Sequence, residues 1–181
     1  MYLGEHHKML KYCFIKNEKT GLVQLGVGCP DEYYIEIGMK QRDVEQSETN
    51  GQWYLTELCP HYTDKQKLEN AKNTKIQDND ILRDEALNRG VTYNNILFDS
   101  DTDQKANILG AVLQMSDTDT IEWFGMNNDS MTCTKQDLLN IGGLITALHS
   151  FVWNRNAEIK EQIKEAKTIE EVENIEVNYE V

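Results

Sequence analysis

The sequence lacks the local signatures that carry most enzyme chemistry. Its 181 residues contain no Gly-x-Ser-x-Gly elbow, no phosphate loop and no Cys-x-x-Cys pair. A hydrolase nucleophile, a nucleotide-phosphate cradle, and a zinc ribbon or thioredoxin-like centre are therefore not spelled out. No apolar run approaches the ~20 residues that a membrane helix needs, and the segment Met1 to Lys8 lacks the basic-then-apolar order of a secretory signal. Basic charge is also scarce. A net charge of −13 and a pI near 4.7 argue against a nucleic-acid backbone or an anionic membrane as the main partner, since like charge repels. The expectation is a protein made in a reducing cytoplasm, with Cys13, Cys29, Cys59 and Cys133 as free thiols.

What is present is organisation. Residues 1–62 carry 6 basic and 9 acidic side chains, residues 63–90 carry 6 and 6, and residues 91–181 carry 6 and 16. The same boundaries separate three textures: a small β module at 1–62, a polar linker or coiled-coil helix at 63–90, and a helix-rich domain at 91–181. The expected fold class is α+β, with an antiparallel N-terminal module.

In the first segment, Met9 to Ile15 and Leu22 to Val27 read as a hairpin around the turn cluster Asn17 to Gly21. Tyr33 to Ile37 reads as a further strand, and Val44 to Leu55 as a second hairpin around Asn50-Gly51. The aromatics Tyr12, Phe14, Tyr33, Tyr34, Trp53 and Tyr54 suit a small β core, with a binding platform as the competing reading.

From Thr63 a capping box opens a helix that Gly90 closes. Its apolar stripe is thin. Such a helix either bridges domains through solvent or lies beside copies of itself, with Leu68, Lys75, Leu82 and Ala71, Asn79, Ala86 near the seam. Val91 to Phe98 then reads as a strand, Asp99 to Asp103 as a helix start, and Thr120 to Met126 with Met131 to Cys133 as a strand pair. Thr134 caps a long helix whose Leu138, Ile141, Ile145, Leu148, Val152 and Ile159 repeat at helical spacing. A short helix from Thr168 and a tail or edge strand at Val177 to Val181 end the chain.

Several residues invite chemistry. Asp99, Asp101 and Asp103 alternate like calcium ligands, but Gln104 and Gly110 stand where an EF-hand loop needs Gly and Glu. Helix capping accounts for them instead. None of His6, His7, His61 and His149 is followed by a His or Glu at i+3 or i+4. Cys133 sits before a helix N-terminus, where a thiol can be activated, yet no partner base accompanies it. Gly142-Gly143 within the long helix costs about 1 kcal/mol per glycine relative to alanine, which calls for close packing or a kink. No catalytic residue, cofactor or metal site is assigned.

The run Val91 to Asp101, then Ile121-Glu122-Trp123-Phe124, then Leu138 to Ile145 with His149, Arg155, Glu158, Ile159 and Ile163 resembles a domain of unknown function. That domain occurs at the C-terminal ends of tail-fibre and tail-fibre-assembly proteins of tailed phages and prophages. The resemblance covers residues 85–176. Gly28 to Glu36, with Trp53-Tyr54-Leu55 and Cys59-Pro60, also looks like a small module that recurs in phage tail proteins. Together these imply a non-enzymatic virion protein, a tail-fibre or baseplate-associated structural or attachment component, or alternatively an assembly chaperone for the fibre tip. The implied partners are other phage tail proteins, further copies of the chain such as a trimer, and a host surface receptor. Neither nucleic acid nor membrane insertion is expected. On this reading residues Leu68, Ala71, Lys75, Asn79, Leu82, Ala86, Gly142 and Gly143 are the candidate interface.

Overall fold

The computed structural model describes residues 8–180; the readings that involve His6, His7 and Val181 lie outside them. The chain divides into two units, Met1–Lys67 and Leu68–Val181.

In the first unit, β1 (Met9–Asn17), β2 (Leu22–Leu25), β3 (Lys40–Gln46) and β4 (Trp53–Leu55) close a small barrel in the order β1-β2-β4-β3. All its neighbours are antiparallel, with Ile15 opposite Val23 and Val44 opposite Leu55. The β1–β2 turn forms because the Asn17 side chain accepts from the Lys19 and Thr20 amides, the local bonding that makes Asn a turn residue. Cys13, Val23 and Val44 fill the centre, flanked by Met9, Ile15, Leu25, Trp53 and Leu55.

Tyr33 to Ile37 is not the expected strand. It lies in and just after a short helix, α1 (Asp31–Glu36), which starts after Pro30 with Asp31 and Glu32 in its first turn. Proline and early carboxylates are helix-start signals, and here they outweigh the β preference of the tyrosines. Tyr34 is buried and stacks on Tyr12 at 5.6 Å between ring centroids. A 3-10 turn, Thr56–Leu58, leads from β4 towards α2.

The second unit holds most of α2 (Asp64–Asn88), then β5 (Val91–Tyr93), β6 (Ile96–Phe98), α3 (Thr102–Gln114), β7 (Thr120–Phe124), β8 (Ser130–Thr134), α4 (Lys135–Glu165) and α5 (Ile169–Glu173). Gly90 ends α2 at φ 85°, and a Cβ there would stand 2.7 Å from the Phe98 carbonyl oxygen. Val91 to Phe98 is two strands, not one. Asn94 and Asn95 both adopt positive φ, 49° and 65°, giving the two-residue turn that suits a hairpin's twist.

The apolar stripe of α4 serves two cores. Its first half, Leu138, Ile141 and Ile145, packs with Phe98, Ile108, Val112 and Cys133. Its second half, Leu148, Val152, Ile159 and Ile163, packs with Ala86 of α2 and Tyr179 of the tail. Each such side chain contributes roughly 1.5–3 kcal/mol when fully buried. The fold is α+β, as its sequence pattern indicates.

Thus α2 is no bare spacer. Part of the thin stripe that prompted the coiled-coil reading, Ile76, Ala86 and Leu87, packs within the chain in one core with α4 and residues of the tail.

Candidate functional site

Across the second unit, α2, α4 and the tail meet at a buried polar trio. The Asn79 amide donates to Asn156 Oδ1 at 2.8 Å, and the Tyr179 hydroxyl donates to Asn79 Oδ1 at 2.6 Å. Asn79 and Asn156 are 0% and 5% exposed. Burial raises the Tyr179 phenol above its ordinary range. Around the trio, Lys72 donates to the Lys164 carbonyl, Lys75 to the Glu173 carbonyl, and Arg89 to the Tyr179 carbonyl. Lys72 thus ties α2 to α4, Lys75 ties it to α5, and Arg89 ties the end of α2 to the tail.

The candidate interface residues are thereby separated. Asn79 and Ala86 are buried inside the chain, Leu68, Ala71 and Lys75 are half-buried, and only Leu82 of the seam is exposed. Gly142 touches α3, where a Cβ would meet Ile108 at an ordinary 3.4 Å, while Gly143 faces open space. Of the two expectations for the pair, close packing or a kink, close packing does not hold at Gly143 and is only an ordinary contact at Gly142, so neither position excludes a methyl group.

Other sequence candidates resolve as structural groups. Asp101 caps α3, its carboxylate accepting from the Gln104 amide at 2.7 Å. Thr134 and Asp137 form a reciprocal capping box on α4, and the hydroxyl and amide of Thr134 hold the Asp137 carboxyl below its usual range. His149 donates from Nε2 to the Ser100 carbonyl at 2.6 Å, while the Ser100 hydroxyl bonds the Leu87 carbonyl near the end of α2. Cys133 is fully buried, and burial pushes its thiol up with the Asp137 charge adding to it. That is the opposite of an activated nucleophile.

What the second unit leaves outside is apolar surface. On α3, Leu109 and Leu113 are 59% and 77% exposed. A shallow groove of about 520 Å³ also runs between α3 and β7, lined by Ala106, Gly110, Ala111, Met115, Ile121 and Trp123 together with the polar Asn107, Gln114 and Asp119. A second groove joins Ile81 and Leu82 of α2 to Val177 of the tail. Of the residues lining these grooves, the sequence singles out Leu82 and Lys75 as interface candidates, since both grooves join residues from separate elements of the chain.

In the first unit, the side chains of Glu45, Cys59 and His61 converge, each offering a donor atom within 4.8 Å of the other two. The sequence search missed them because β3 supplies one and the segment after the 3-10 turn the others; the one local sign is the Cys59-Pro60-His61 spacing.

No curated protein and no solved structure matches the chain. Residues 70–179, from within α2 to Tyr179, match the model of a family described as a domain of unknown function, DUF4376, and the chain belongs to that family.

Proposed function

We propose that the chain is a non-enzymatic virion protein of a tailed phage, a tail-fibre or baseplate-associated component that acts by protein–protein contact. The observation that carries this reading is the apolar surface left outside the core, above all Leu109 and Leu113 on α3, the helix that also forms one wall of the α3–β7 groove. Large exposed apolar side chains grouped around a groove are a feature of docking surfaces. The resemblance of residues 85–176 to the ends of tail proteins supplies the setting. The acidic excess of the second unit suits a neighbouring tail subunit with basic groups around an apolar anchor. Copies of the chain meet through the exposed Ile81 and Leu82, since Lys75, Asn79 and Ala86 of the seam are engaged within the chain.

Mass spectrometry of tailed particles purified from cells that carry the gene tests the proposal. Stoichiometric presence is expected, and Leu113→Glu lowers incorporation about tenfold or more without changing the circular dichroism of the purified protein. A chain abundant in the lysate but absent from particles would overturn the structural role and favour the assembly chaperone.

A further inference from the structure

The Glu45, Cys59 and His61 cluster is chemically mixed, built and held in place. Glu45 is 2% exposed and Cys59 9%, while the His61 side chain is 39% exposed. His61 Nε2 lies 3.9 Å from Glu45 Oε1. With metal–ligand bonds of about 2.0–2.3 Å, donors in a tetrahedral zinc site stand roughly 3.3–3.8 Å apart. All three donor atoms lie within 4.8 Å of one another, so an ion would draw them together by about 1 Å.

The surroundings repeat the order seen around a zinc-bound imidazole. The other ring nitrogen, Nδ1, faces Glu48 Oε1 at 4.0 Å. Glu48 is itself fixed by the Tyr62 amide at 2.7 Å and by Lys67 at 3.6 Å. The 4.0 Å separation from Nδ1 is beyond hydrogen-bonding distance, and the Glu48 carboxylate is placed to close on Nδ1 when an ion draws on Nε2. Pro60 stiffens the link between Cys59 and His61, and its carbonyl accepts from the buried Ser47 hydroxyl at 2.6 Å. The segment is thus pinned to the β3–β4 turn before any ion arrives.

We propose that Glu45, Cys59 and His61 bind a zinc-class divalent ion through one carboxylate oxygen, the thiolate and Nε2, with the fourth position open to solvent. Thiolate and imidazole select against calcium and magnesium, and the carboxylate selects against copper(I). The ion staples β3 to the segment that precedes α2. A barrel centred on Cys13, Val23 and Val44 has little apolar core, which is the condition under which small folds use metals.

The test uses the full chain, stripped with chelator and titrated with cobalt(II), then zinc(II). One equivalent of cobalt is expected to give thiolate-to-cobalt charge-transfer absorption, which zinc abolishes. Cys59→Ser removes that absorption, His61→Ala weakens binding about 100-fold, and Glu48→Gln weakens it about tenfold. Cys29→Ser, at an exposed thiol elsewhere, leaves the titration unchanged, and circular dichroism confirms that each variant folds. Three results would each overturn the site: no charge transfer in the wild type, charge transfer that survives in folded Cys59→Ser, or an affinity indifferent to His61→Ala. Cobalt held only at the His6-His7 pair would give ligand-field bands without charge transfer, which also counts against it.

Discussion

A single hydroxyl shows how the second unit is specified. Tyr179 reaches across 100 positions of sequence to Asn79, and both lie where water is excluded. Removing the hydroxyl leaves Asn79 Oδ1 without that donor, so Tyr179→Phe should cost about 1–3 kcal/mol in urea denaturation. The phenol also predicts a pH dependence. Because burial raises it in the folded state, the fold holds this proton more tightly than the unfolded chain, whose tyrosines titrate near pH ~10. The contribution is complete below that pH and is lost as pH rises through the raised folded value. Tyr179→Phe should remove this decline from a plot of stability against pH. Asn79 was recognisable in the sequence as a polar residue in an apolar seam. Its partners were not, since nothing local in Asn156 or Tyr179 marks them.

Among the elements, α4 was the most legible. Its capping box and its apolar repeat are local patterns, and both stand in the structure. Its glycines teach the reverse. A pair of helix glycines suggests close approach, but Gly143 has no atom within 4 Å of where a Cβ would lie. Gly143→Ala should therefore stabilise the protein by about 0.5–1 kcal/mol, read as a higher urea midpoint with unchanged slope. A drop in stability would mean that the position is constrained by something outside the chain. The β5–β6 hairpin and α1 were misread for one reason. Each turns on a short punctuation signal, Asn94-Asn95 or Pro30 with its acids, inside a run whose apolar content favours a plain strand.

For the whole molecule, the largest difference concerns α2 and the C-terminal tail. Judged by its own residues, α2 is too polar to bury, and the tail is a loose end. Together they complete a core on the second half of α4, with Ile175, Val177 and Tyr179 covering Ala86, Leu148 and Val152. Deleting residues 175–181 should thus destabilise the second unit by about 3 kcal/mol or more. Amide hydrogen exchange would show the loss as faster exchange in α2 and the second half of α4. Unchanged protection there would mean that the tail merely lies on a core complete without it.

The sequence by itself determined the limits of α2, the starts of α3, α4 and α5, the α4 stripe and the barrel hairpins, because period, cap and turn chemistry act within a few residues. Only the tertiary structure decided which face of α2 is covered, which apolar residues of α3 stay outside, and which donors gather at Glu45. Those outcomes depend on contacts between residues tens of positions apart, where each partner's identity says little about the other.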